Sequence, residues 1–150
     1  MKRFLEKNRD AAILMMRLGI GIAFAFTYGL MKIQGGVEMW NGIGMTMSNV
    51  GINFAPVVWG FLASISEFGG GILLILGLFT RTASFFMAFT MVMASIQHLK
   101  SLDPWHMVIL PMELFSVFMA LVFIGAGKYS IDYLIAKRKE AKTISNRSTT

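Results

Sequence analysis

The sequence contains no cysteine. Disulfides, thiol chemistry, thiolate-held iron–sulfur clusters and lipoprotein-type acylation are therefore excluded for this chain's own residues. Charge is also scarce: 15% of the 150 residues are Asp, Glu, Lys or Arg, against about 25% in soluble domains. Histidine occurs twice, at His98 and His106. The two share one short connection, which does not suit a bis-histidine haem, and their spacing matches no familiar metal motif, so no metal site is assigned. The net charge of +6 comes without the basic stripe and interleaved aromatics that nucleic acid demands, and no nucleic-acid partner is expected. No small-residue cleavage site follows the first apolar run, which reads as an uncleaved anchor.

What the chain does have is apolar length. Hydrophobic residues make up 55% of it, gathered into four runs: "AAILMMRLGIGIAFAFTYGLM" (11–31), "VVWGFLASISEFGGGILLILGLF" (57–79), "TASFFMAFTMVMASIQ" (82–97) and "MVILPMELFSVFMALVFIGAG" (107–127). Three of these reach the ~20 residues that a bilayer requires, and the third does so with its flanks. The fold class expected is an all-α integral membrane bundle of four transmembrane helices. A basic segment (1–10) precedes a membrane domain (11–135), and a basic, disordered tail (136–150) follows it. The very short connection at 80–81 makes helices two and three a tight antiparallel pair.

The 32–56 connection contains "VEMWNGIGMTMSNVG" (37–51), rich in glycine and methionine and poor in charge. It is expected to lie at the outer interface as a short helix. After helix four, Ser130 is placed to cap a further short helix with Asp132 in its first turn. Lys2, Arg3, Lys7 and Arg9 precede the first run, Arg81 lies between the second and third, and Lys137, Arg138, Lys139, Lys142 and Arg147 follow the last. The other side carries only Lys32 and Lys100 in its connections. Both termini are therefore expected in the cytoplasm, with the chain a multi-pass protein of a bacterial cytoplasmic (inner) membrane. The 13 methionines fall on every helix face and read as apolar filler rather than copper ligands.

The informative residues are the polar ones inside the runs, since an ionisable group at the centre of a membrane helix costs roughly 2.5–3.5 kcal/mol on insertion scales. At helical spacing, Arg17, Gly21, Tyr28 and Lys32 share one face of helix one. Gly60, Ser64, Glu67 and Gly71 share a face of helix two, and Ser84, Ala88, Met91, Ser95 and His98 one of helix three. Glu113, Ser116, Ala120 and Gly127 lie on a common side of helix four. These stripes predict four helices meeting along a polar seam, with Gly69, Gly70 and Gly71 allowing close packing. Glu67 lies about ten residues from the outer end of helix two, roughly 15 Å deep, and Glu113 about six residues from that of helix four. The formal charges of Arg17, Lys32, Glu67 and Glu113 sum to zero. Depth places Lys32 and His98 near Glu113, with Glu67 deeper; Arg17 reaches Glu67 only if its long side chain points toward the bilayer centre. Pro111 frees a carbonyl that can turn toward the cluster. Two readings stay open: ions that pin the helices in register, or ions that line a pocket for a polar head or a proton.

"RLGIGIAFAFTYGLMK" (17–32), "SEFGGGILLILGLFTRTAS" (66–84) and "GAGKYSID" (125–132) resemble the DoxX family of small four-helix membrane proteins, with His98 and Glu113 at its later polar positions. The resemblance implies a link to quinone-dependent oxidation or membrane redox homeostasis; distant relatives act in cargo handling and receptor assembly. Thiol-based roles seen in relatives cannot rest on this chain. The expectation is a membrane subunit of a redox system, not a complete oxidoreductase alone, that binds a quinone or lipid. Glu67, Glu113, His98 and Lys32 would line the site, Arg17 would support it and Tyr28 would hydrogen-bond. No cofactor is covalently bound; a quinone is the one implied. Besides the bilayer, a redox-protein partner or a second copy of the chain is expected. The alternatives are a non-catalytic scaffold or assembly factor, using the small-residue faces or residues 33–55, and a small proton-coupled transporter acting as an oligomer through Glu67.

Overall fold

The computed structural model describes residues 2–147, with side chains from 8 to 144. Among the described residues the chain is all-helical. It runs through α1 (Lys2–Ala23), a π-helical segment (Phe24–Gly29), α2 (Leu30–Gln34), α3 (Gly36–Gly44), a 3₁₀ segment (Met45–Val50), α4 (Pro56–Leu76), α5 (Thr80–Lys100), α6 (Trp105–Ile124) and α7 (Ile131–Arg147). Among the described residues, four stretches are long and apolar enough to cross a membrane: Asn8–Gln34, Pro56–Leu76, Thr80–Lys100 and Trp105–Ile124. The core joins Ile13, Phe24, Leu74, Met87, Met91, Phe118 and Leu121, all buried. Many other large apolar side chains face outward, among them Met15, Phe26, Phe85 and Phe123. Hydrocarbon is as apolar as a protein core, so a membrane bundle has no reason to hide them.

Local chemistry sets the boundaries. Pro56 starts α4, where its missing N–H is not needed. Gly77 ends it in the left-handed conformation (φ 65°, ψ 39°), and the Leu78 N–H donates to the Leu73 carbonyl at 3.0 Å. That closes the helix with a Schellman-type turn three residues before the expected end at 79. Helix α5 then starts at Thr80, capped from a distance. The Asp132 carboxylate accepts from the Phe79 N–H (2.8 Å) and the Thr80 N–H (3.0 Å), placing negative charge at a helix N-terminus. Ser130 caps α7 as expected, its hydroxyl accepting from the Tyr133 N–H at 3.2 Å.

Three expectations need correction. The first span is one helix with a π-helical interruption at Phe24–Gly29. That interruption adds a residue to the turn and rotates the remainder of the helix. Gly29, not Tyr28, therefore continues the Gly21 face: Gly21 packs on Gly71, Ala25 also on Gly71, and Gly29 on the Phe68 backbone. Tyr28 turns outward and is exposed. Second, the tail from 136, expected to be disordered, is helical to Arg147. Its side chains from 136 to 144 are exposed, and Asp132 and Ser130 anchor its first turn; residues 148–150 lie outside the described residues. Third, the inward face of α6 is apolar. Val108, Pro111, Phe118 and Leu121 are buried, whereas Glu113 and Ser116 are exposed. Ser95 of α5 donates to the carbonyl of Val108, one turn before Pro111, at 3.2 Å, a bond that ties α5 to α6 beside the proline.

An even number of spans puts both termini at one end of the bundle. The basic residues of the α4–α5 turn and of α7 gather there, which predicts that this end faces the cytoplasm. With no native cysteine in the background, single-cysteine labelling can check this. In right-side-out vesicles, a membrane-impermeant maleimide should label Leu102→Cys in the α5–α6 connection, and should label Lys139→Cys on α7 only after permeabilisation. The reverse pattern would invert the topology.

Candidate functional site

The residues that sequence places in one seam separate into two groups, one meeting α4 at its middle and one at its C-terminal end. Near the end that holds the α3 segment, Lys32 reaches inward from α2. Its Nζ lies 2.6 Å from both Oε1 and Oε2 of Glu67, whose side chain is only 3% exposed. Glu67 lies about 16 Å along α4 from Pro56, counting the helical rise, so the lysine is drawn deep into the span rather than snorkelling outward. The expected Lys32–Glu113 pairing is thus replaced by Lys32–Glu67. Glu113 faces away from it.

Arg17 is fully buried at the other end, against Gly77, and donates from Nη2 to the Tyr129 carbonyl at 2.6 Å. Gly77 lies ten residues beyond Glu67, about 15 Å along the helix, so Arg17 does not serve Glu67. It ties α1 to the α4–α5 turn and the 125–130 connection. Its Nε and Nη1, with the hydroxyls of Thr80 and Ser84, are buried without a hydrogen-bond partner among the described residues, the condition under which ordered water is expected.

The Lys32–Glu67 pair forms one end of a cavity of about 720 Å³ between α4 and α5, inside the roughly 300–1,000 Å³ range of small-molecule sites. The α3 segment roofs it. Ile43, Gly44, Thr46 and Met47 reach over it because α3 packs directly on α4, where a methyl at Gly60 would run into the Trp40 carbonyl. Trp40 donates to the Lys32 carbonyl at 2.9 Å and packs edge-on to Phe61. Asn49 donates to Gln97 Oε1 on α5 at 2.8 Å. The roof is therefore fastened to both walls. The walls are apolar and partly open to the side: Leu62, Phe85, Phe86 and Phe89 line the cavity and are each exposed, which gives it a lateral mouth toward the surrounding hydrocarbon.

Few polar groups in this cavity remain uncommitted. Ser66 and Thr90 donate to carbonyls of their own helices, and Gln97 is held by Asn49 and Ser101. The indole N–H of Trp59 is buried and has no acceptor among the described residues. His98 lines the cavity and its Nδ1 lies 2.8 Å from Asp103 Oδ2, which leaves Nε2 without a hydrogen bond among the described residues. Lys32 and Glu67 keep donor and acceptor capacity beyond their mutual bond. The site thus offers a hydrogen-bond donor and an imidazole toward its outer part and, deeper, an ion pair of zero net charge, along an oily slot.

Of the expected site residues, the cavity gathers Lys32, Glu67 and His98. Arg17, Tyr28 and Glu113 are elsewhere. Of the three glycines, Gly71 touches helix one, Gly70 touches Met87 of α5, and Gly69 has only Ile65 nearby, at 4.0 Å from where a Cβ would sit. Sequence reading does not find Trp59, the phenylalanines of α5 or Asp103. Asp103 alone leaves a signal, an acid five residues after a histidine.

The DoxX family model matches residues 12–99, which takes in the first three spans and Lys32, Glu67 and His98 of the cavity, but not Glu113. The chain is 31% identical over 137 residues to "Inner membrane protein YqjF" of Escherichia coli (strain K12), covering 89% of this chain and 99% of that protein. No solved structure matches.

Proposed function

Because this chain belongs to the DoxX family and is a multi-pass inner membrane protein, we propose that it binds an amphiphile, a quinone or a lipid, whose polar head sits at Lys32 and Glu67. The observation that carries this reading is the lateral cavity itself. It opens to hydrocarbon along Phe85, Phe86 and Phe89, ends on a buried ion pair, and is also lined by Trp59, whose indole N–H has no acceptor among the described residues. A buried donor without an acceptor costs free energy that a ligand carbonyl or ester oxygen would recover. A head group entering from the membrane would meet Trp59 and Lys32 as donors and Glu67 as acceptor, with its tail left along the aromatic wall. On this reading the chain supplies a binding site to a redox system as a membrane subunit, and His98 with Asp103 gives protons a route between the cavity rim and the outer solution.

Organic extraction of gently purified protein followed by mass spectrometry tests the proposal. A quinone or lipid should be recovered near one per chain, and its occupancy should fall about tenfold or more in Glu67→Gln or Trp59→Phe, the loss of one buried hydrogen bond to a charged or unpartnered group. Glu113→Gln should leave occupancy unchanged. Equal loss in Glu113→Gln, or no bound amphiphile in wild type, would overturn it. One observation favours a second reading, the scaffold: exposed Glu113, near the middle of α6, presents an acid to whatever covers that face.

A further inference from the structure

A second cavity, of about 520 Å³, lies at the opposite end of the bundle, where both termini emerge. Arg9 of α1, Arg81 of α5 and Lys128 of the α6–α7 connection all line it. Two carboxylates share the wall; Asp132 and Oδ1 of Asp10 accept from backbone N–H groups, while the buried Oδ2 of Asp10 has no hydrogen-bond partner among the described residues. Asp132 accepts from the Phe79 and Thr80 backbone N–H groups. Asp10, 2% exposed, accepts from the Lys128 N–H at 3.3 Å and lies 3.6 Å from Lys128 Nζ and 3.9 Å from Arg9 Nη2.

Arg81 is different. Among the described residues it pairs with no carboxylate, and its hydrogen bond is one long contact, 3.4 Å, to the Phe123 carbonyl. Its guanidinium lies over Gly125, where a Cβ would approach Nε to 3.2 Å. Gly125 also holds φ 80°, ψ −163°, a conformation essentially confined to glycine. The turn after α6 is therefore shaped to let the guanidinium rest on it. A planar fork of donors held without an anion is the group best matched to phosphate oxygens.

The level of the cavity identifies the rest of the ligand. It lies where α4 ends, α5 begins and α6 ends, at the boundary between the spans and water. Its membrane-side neighbours are apolar and exposed: Phe79 at 64%, Ile124 at 50% and Phe123 at 75%. Tyr133, of the type that settles at membrane interfaces, lines it from α7. Cations at head-group depth with an oily rim above them suit an anion that carries acyl chains.

We propose that this cavity is a binding site for a phosphate-bearing anion, with Arg81 as its principal ligand and Arg9 and Lys128 in support. The source that fits the apolar rim is the head group of an anionic phospholipid. The site is separate from the amphiphile cavity at the other end of α4, and its occupant would staple the α4–α5 turn to the 125–130 connection.

The test is thermal unfolding of the full chain in neutral detergent, titrated with phosphatidylglycerol, with phosphatidylcholine of the same acyl chains, and with inorganic phosphate. Phosphatidylglycerol should raise the midpoint to a plateau, and phosphatidylcholine should not. In Arg81→Gln the apparent affinity should fall about tenfold, the loss of one charge-assisted contact, with a smaller fall in Arg9→Gln. Lys139→Gln, the same charge change on α7 away from the cavity, should behave as wild type. If inorganic phosphate alone reproduces the shift, the site holds but its natural ligand is a free phosphate. A full response in Arg81→Gln, an equal loss in Lys139→Gln, or no distinction between the two lipids would overturn the proposal. Arg81 is exposed, so its replacement leaves the core intact; Arg81→Lys, which keeps charge without the fork, should fall between wild type and Arg81→Gln.

Discussion

Lys32→Met is expected to be the most destabilising single replacement in the ion pair, and Glu67→Gln a milder one. The asymmetry follows from burial. Glu67 is 3% exposed and Lys32 26%. Taking away the lysine strands a carboxylate inside the span, and breaking a buried pair from one side costs about 3–5 kcal/mol. Taking away the carboxylate leaves a flexible ammonium near the end of its helix, which can extend to water and recover much of its hydration. The double variant Lys32→Met/Glu67→Gln removes both charges together and should be more stable than Lys32→Met alone, because no unpaired ion remains. Denaturant unfolding of the four proteins in detergent, after extraction of any bound amphiphile, supplies the cycle. Additive effects would show that the two side chains do not interact and would dissolve the polar end of the cavity. The same cycle decides between the two open readings of the ions. A pair that only pins helices should change stability and nothing else, whereas a pair that also serves a ligand should change amphiphile occupancy in Glu67→Gln, where the stability loss is smaller.

The three consecutive glycines Gly69–Gly71 should respond to alanine in a steep gradient. A methyl at Gly71 would lie 2.5 Å from the Ala25 nitrogen and 2.8 Å from the Gly21 carbonyl oxygen. Both are backbone atoms of helix one, so relief requires the two spans to separate, and Gly71→Ala should cost about 1–3 kcal/mol, the range for an overpacked core. At Gly70 the nearest atoms are Sδ and Cγ of Met87, at 2.6 and 2.8 Å. A thioether side chain can turn aside, so Gly70→Ala should cost less. Gly69→Ala meets only Ile65 at 4.0 Å. It should be neutral or stabilise by up to ~1 kcal/mol through helix propensity. Thermal midpoints of the three variants in one detergent give the order. A Gly69→Ala protein as impaired as Gly71→Ala would mean that helix one does not cross α4 at Gly21, Ala25 and Gly29.

That crossing also shows how far sequence reading reaches in this chain. The absence of cysteine, the four apolar runs and the placement of basic residues are enough for an all-helical, four-span membrane protein. They are also enough to single out Glu67 as a carboxylate with a reason to be buried, because a charge inside a twenty-residue apolar run is costly wherever the helix points. The stripes expected on α4 and α5 do face inward: Gly60, Ser64, Glu67 and Gly71 are all buried, as are Ser84, Ala88, Met91 and Ser95. The stripe expected on α6 does not. Periodicity finds a face but does not say which way it turns when the surroundings are hydrocarbon, since both sides of α6 are acceptable to their neighbours. Glu113 is therefore expected inward although it points out. On helix one the error is of phase. The π-helical turn at Phe24–Gly29 adds a residue that no 3.6-residue count contains, and it swaps Gly29 for Tyr28 on the inner face.

The choice of partner is decided at the tertiary level throughout. Lys32 meets Glu67 across 35 positions, Arg17 meets Tyr129 across 112, and Asp132 caps α5 across 52. Sequence specifies which residues are ionisable and how deep each one sits, because depth follows from counting along a helix. It does not specify helix rotation or the order in which helices neighbour one another. Those depend on where glycines allow two backbones to touch, and only the packed bundle satisfies all of those contacts at once.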